Sequence, residues 1–194
     1  MTETNDQLYI EKILKGDVNA FSFLVDNYKN MVFSLAFKMT KSREEAEEVS
    51  QDTFIKAYKN LSKFKGDSKF STWLYRIAYH TSLDAIKRNK KTTNTIDINE
   101  VTFNQIKSVE HILEGIERKE RAELMDACLQ RLSNEERSII WMFYYDELSL
   151  KEIIEVTGLH EANIKVKLHR ARKKLLTIVK ESIEPEIIEN YGRK

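Results

Sequence analysis

Apolar residues recur at steps of three and four along most of the chain and rarely alternate. That period is the signature of amphipathic helices, so the pattern predicts an all-α protein. Gln7–Lys15 is a short helical stretch with Leu8, Ile13 and Leu14, stopped at Gly16-Asp17. From Asn19 to Met39 one stripe runs through Phe21, Leu24, Val25, Tyr28, Val32, Leu35, Ala36 and Met39. Ser42-Arg43-Glu44-Glu45 places a hydroxyl three residues before a carboxylate, which predicts a capped helix start. That helix should reach about Leu61, with Ala46, Val49, Phe54, Ala57, Tyr58 and Leu61 inward. Lys63 to Ser71 reads as a loop turning at Gly66-Asp67, and Ser71 or Thr72 caps a helix reaching about Arg88.

The pattern then fades. Lys90 to Gln105 is rich in Thr and Asn, with Asp97 and Glu100 its charges after Lys91. It reads as a linker between two domains. Helical spacing returns from Lys107 to Arg131, where Gly115 is a candidate break. Two more capping boxes follow, Ser133-Asn134-Glu135-Glu136 and Ser149-Leu150-Lys151-Glu152. The second opens a pair of short helices around Gly158, where a left-handed residue is wanted. Leu150, Ile153, Ile154 and Val156 should pack inward on the first of these helices, and Ile164, Leu168, Ala171 and Leu175 on the second. The expected division is residues 1–91, a linker 92–107, a second domain 108–180, and a mobile tail 181–194.

Composition narrows the class. The 194 residues include five Gly, one Pro and one Cys, so helix breakers are few and an internal disulfide is impossible. Cys128 reads as a buried structural thiol. No apolar run approaches the ~18 residues of a membrane helix, and the polar, acidic MTETNDQLYIEKILKGD start is not a signal peptide. The cytoplasm is therefore the expected compartment. The four His residues (His80, His111, His160, His169) have no metal spacing, and the chain lacks a Gly-rich phosphate loop, a Cys/His nucleophile pair and an H-E-x-x-H motif. Enzyme, metal and cofactor functions are not expected.

The net charge of +1 conceals blocks. Lys63 to Lys91 holds eight Lys/Arg against two Asp/Glu, and Asn163 to Lys180 seven against none. Thr92 to Glu136 between them holds five against ten. Two basic segments, each with nucleic-acid features, point to two contacts with an anionic polymer. In the C-terminal segment, Lys165, Val166, His169 and Arg170 share the face expected in the major groove, with Lys167, Arg172 and Lys173 placed for phosphates. In the N-terminal segment, rings interleave with cations, an arrangement suited to unstacked bases. Trp73 falls with Leu74, Ile77, Ala78 and Thr81 and reads as core; Tyr75 and Tyr79 read equally as core or as stacking platforms. Glu48, Gln51 and Asp52 lie too deep in their helix for the dipole to explain them, and suit a basic protein partner.

Three blocks, EEAEEVSQDTFIKAY, FKGDSKFSTWLYRIAYHTSLDAIKR and LSLKEIIEVTGLHEANIKVKLHRARKKL, together resemble the sigma-70 family of bacterial transcription initiation factors. The similarity is to its small two-domain extracytoplasmic-function group. It implies a region 2-like domain, a region 4-like domain and an acidic flexible linker threading toward the polymerase active site. Glu48, Gln51, Asp52 and Phe54 match positions that dock on core RNA polymerase. Lys63, Lys65, Asp67, Lys69, Tyr75, Arg76, Tyr79, His80, Lys87 and Arg88 fall in the segment that captures melted minus-10 bases. The helix-turn-helix corresponds to the minus-35 reader, and Asn134 to Tyr145 to the part that contacts the polymerase flap. The implied partners are core polymerase, promoter DNA and an anti-sigma factor, with no small-molecule substrate and no membrane insertion. Three positions depart from the family pattern: His80 for asparagine, Ile154 for alanine and Val166 for serine. The competing reading is a stand-alone helix-turn-helix regulator with a helical sensor or dimerisation domain.

Overall fold

The computed structural model describes residues 3–89 and 118–182. Its elements are α1 (Glu3–Leu14), a 3-10 turn Val18–Ala20, α2 (Phe21–Thr40), α3 (Arg43–Asn60), a 3-10 turn Leu61–Lys63, α4 (Phe70–Asn89), α5 (Arg118–Gln130), α6 (Asn134–Tyr144), α7 (Leu150–Thr157) and α8 (Glu161–Ser182). No strand occurs among the described residues. The expected linker, Gly115 and the tail beyond Ser182 lie outside them.

The chain divides into two compact units, residues 1–95 with 151–159, and residues 96–150 with 160–194. Residues 151–159, the first helix of the helix-turn-helix in the sequence reading, are grouped by contact with the first unit as the eight-residue α7.

In the first unit α2, α3 and α4 pack on one another and α1 packs on α2. Ala36, Ala46, Val49 and Ala85 bring the three long helices together, with Phe33 against them. Small side chains there let the backbones approach closely, while Leu24, Val32, Leu61 and Leu74 fill the remaining core. Ser42 is extended (φ −122°, ψ 132°) and its hydroxyl accepts from the Glu45 N–H at 3.3 Å, as the capping motif requires. Lys41 before it is left-handed, ending α2. Ala46, Val49 and Ala57 of α3 and Leu61 after it are buried as expected, with Thr53 inside in place of Phe54 and Tyr58. Thr53 is tolerated inside because its hydroxyl donates to the Val49 carbonyl at 2.7 Å. Phe54 and Tyr58 are displaced to the rim, where both meet the edge of Phe21.

In the second unit α5 and α6 both pack on α8. Ser133 and Glu136 form a complete capping box at the start of α6. Cys128 is fully buried, as expected of a structural thiol. On α8 the buried residues include Ile164, Leu168 and Ala171, and then Leu176 where Leu175 was expected.

Candidate nucleic-acid interface

In the first unit the basic loop is anchored by rings. Phe64 lies 5.7 Å from Phe70 and 5.4 Å from Trp73, and Phe70 lies 5.5 Å from Tyr28. Tyr28 in turn donates a short hydrogen bond to Asp6 of α1. Between Phe64 and Phe70 the chain turns at Gly66 with φ +75°, a conformation that costs glycine nothing. The loop therefore presents Lys65, Asp67 and Lys69 at the surface, beside Lys63. α4 begins at Phe70, so Ser71 and Thr72 lie inside it instead of capping it. Its exposed ridge is Arg76, His80, Lys87 and Arg88.

Tyr75 and Tyr79 are corrected by the structure. Each is 3% exposed, so neither offers a ring face to a base. Their spacing of four puts both on the inward side of α4 with Leu74 and Ala78. Trp73 is half-buried in the aromatic cluster. Lys56 ties α3 to α4 through a 3.1 Å hydrogen bond to the Thr81 hydroxyl.

On α3, Glu48 and Gln51 are exposed and Asp52 and Phe54 half-buried. Glu48 lies 3.9 Å from Arg88 with both side chains largely in solvent, a pair of little energetic weight. Beside this acidic face runs a groove of about 510 Å³ lined by Val18, Asn19, Phe21, Ser22, Phe54, Ile55, Tyr58 and Lys59. Ile55 is 51% exposed and Val18 58%.

In the helix-turn-helix segment, Gly158 is left-handed (φ +72°) and its N–H closes α7 on the Ile154 carbonyl at 2.8 Å. On α8, Lys165, Val166 and Arg170 are exposed and His169 half-buried. Positions i, i+1, i+4 and i+5 of a helix share one side, so these four lie together on one side of α8.

The expected phosphate contacts are placed differently. Arg172 sets its guanidinium 5.4 Å from the Phe143 ring and 5.1 Å from the Tyr144 ring, with Nε buried. Lys173 Nζ is buried without a hydrogen-bond partner among the described residues. Arg172 falls two positions past Arg170, about 200° around the helix, which turns it toward the rings of α6. Lys167 is half-buried and bonded to Glu135 at 2.9 Å. Sequence reasoning missed the part played by Glu135 and Glu136. The Glu136 carboxyl is pushed up by burial, but hydrogen bonds from the Ser133 side chain and backbone and from Lys174 outweigh this and hold it below its ordinary value. Glu161, paired with Lys165, is likewise lowered by that hydrogen bond and charge. Among the described residues no cluster of His, Cys, Asp or Glu suits a metal, and no helix is long and apolar enough to cross a membrane.

A helical two-unit protein with a basic loop and helix in one unit and a basic helix in the other has the electrostatic footprint of a nucleic-acid-binding protein. Residues 24–92 match sigma-70 region 2 and residues 122–175 match sigma-70 region 4. The chain is 33% identical over 173 residues to the ECF RNA polymerase sigma factor SigW of Bacillus subtilis, covering 86% of this chain and 92% of that one. It is 32% identical over 183 residues to the RNA polymerase sigma-H factor of Pseudomonas aeruginosa, covering 89% and 93%. In solved structures, CnrH in complex with the cytosolic domain of CnrY has the same fold at a TM-score of 0.64 and 22% identity, covering 91% of this chain and 97% of that one. The sigma factor RpoE of Bartonella quintana, solved with the anti-sigma factor NepR, shares it at 0.60 and 19%, covering 82% and 96%. The chain belongs to the sigma-70 family, in its extracytoplasmic-function group. It is thus a transcription initiation factor and not an enzyme.

Proposed function

We propose that this chain docks on core RNA polymerase through α3, captures melted minus-10 bases with the loop at 63–69 and the exposed ridge of α4, and reads a minus-35 element with α8. The observation that carries this reading is the face of α3. Glu48, Gln51 and Asp52 stand beside an apolar groove that Phe54 helps to line. An acidic edge along an apolar groove suits a basic, amphipathic helix of a protein partner. A stand-alone regulator has no need of such a face next to a DNA-reading ridge.

The minus-10 set is Lys63, Lys65, Asp67, Lys69, Arg76, His80, Lys87 and Arg88, with stacking left to the half-buried Trp73. At the minus-35 element Lys165, Val166, His169 and Arg170 face bases, and Val166 offers a methyl contact to thymine in place of a hydrogen bond. Domain roles follow the two family matches, with α8 as the upstream reader. The site of action is the cytoplasm, where polymerase works. An anti-sigma partner is part of the same reading, by analogy with the Bartonella factor.

Association with core tests the docking surface. Gel filtration of the chain with core polymerase should give a stable complex, and Gln51→Ala with Asp52→Ala should weaken it about tenfold or more without loss of helicity. Unchanged association would remove α3 from the interface. Tight duplex binding with no association with core would favour the regulator instead.

A further inference from the structure

Much of the positive charge on α8 is already answered inside its own unit. Lys167 Nζ lies 2.9 Å from Glu135 Oε2, and Lys174 Nζ 3.2 Å from Glu136 Oε2. Lys165 Nζ lies 2.6 Å from Glu161. The last is an ordinary i,i+4 helix pair. The first two join residues 32 and 38 apart in sequence, and both carboxylates stand in the first turn of α6. Glu136 is fixed from a second side, since it accepts from the Ser133 N–H at 3.0 Å and the Ser133 hydroxyl at 2.8 Å. Its oxygens are held in place by the capping box and do not swing freely.

Two anionic oxygens thus sit on lysines of the helix that meets DNA, where phosphate oxygens would otherwise be drawn. The Lys167–Glu135 pair is only partly buried, at 33% and 47% exposure, so phosphate can exchange with it. The exchange is unfavourable through ions and not through the pair itself, which contributes little. A solvated lysine releases a condensed counterion when it meets phosphate. A lysine taken from a carboxylate yields no such gain, because the freed carboxylate gathers a cation of its own.

Resting on the reading of α8 as a DNA-binding helix, we propose that the first turn of α6 is an autoinhibitory counter-charge. Glu135 and Glu136 lower the affinity of the reader helix for DNA backbone of any sequence. The free chain then spends little time on arbitrary duplex.

The test uses the full chain and a fluorescent mixed-sequence duplex, with binding followed by anisotropy across a salt series. Glu135→Gln should tighten binding about 3- to 10-fold and steepen the salt slope by about 0.9, one phosphate contact's worth. Glu181→Gln is the charge-matched control, since Glu181 pairs with Arg131 at 2.8 Å and not with the reader lysines. It should change binding far less. In a Lys167→Gln background the effect of Glu135→Gln should vanish, because the pair is already broken. The proposal is overturned if Glu135→Gln matches the control, or if its gain survives in that background. If Lys165→Gln with Arg170→Gln, which removes two exposed cations of α8 outside the pair, leaves affinity and salt slope unchanged, α8 is not the DNA surface, and the underlying reading falls together with the proposal.

Discussion

Lys173 shows how far a residue's environment can reverse the meaning of its charge. Its place among Lys165, Lys167, Arg170 and Arg172 marked it as a phosphate contact. Its Nζ is instead buried without a partner among the described residues. A buried donor left unpaired costs about 1–3 kcal/mol. Lys173→Met should therefore raise the melting temperature and leave the salt slope of DNA binding unchanged; a lower slope would restore the phosphate contact. The residues proposed to face bases should behave otherwise. Lys165→Ala and His169→Ala should each weaken use of the cognate minus-35 element by about 1–3 kcal/mol, read as promoter binding by the polymerase complex. Full activity of both would remove that face from recognition. Tyr75 and Tyr79 make the same point for rings. An amphipathic ring suits a core and a stacking platform equally, and only the packing of α4 decides for the core.

Helix ends were largely legible because caps are local chemistry. Ser42 and Ser133 cap α3 and α6 where the hydroxyl-to-carboxylate spacing put them. Faces were less legible. Thr53 replaces Phe54 inside because a hydroxyl satisfied within its own helix buries at little cost. The charge blocks misled most. Acidic and basic segments distinct in sequence meet in space at Glu135 and Lys167, and no spacing rule reports a pair 32 residues apart. The α6 cap carries a measurable consequence. Ser133→Ala should cost about 1 kcal/mol in thermal unfolding. Glu136 has its folded value lowered from 4.5, so its stabilisation is present above that pH and is lost as pH falls through the lower folded value. Glu136→Gln should flatten the acid limb of stability against pH below about 4.5. An unaltered acid limb would mean that the carboxylate does not hold the cap.

For the whole molecule, the two-unit helical plan and the family were legible in three sequence blocks, and the matches to region 2 and region 4 cover them. The groove beside α3 was not, because it arises where residues of the 3-10 turn, α2 and α3 converge. On the proposed function, DNA contacts in two units of one chain become a promoter reader when core polymerase holds them. Mapping transcript 5′ ends on genomic DNA, with core polymerase in the presence and absence of this protein, tests it most directly. The protein should create a set of new start sites sharing two upstream elements at one fixed spacing. No new start sites, or tight site-specific duplex binding that core polymerase does not change, would contradict it.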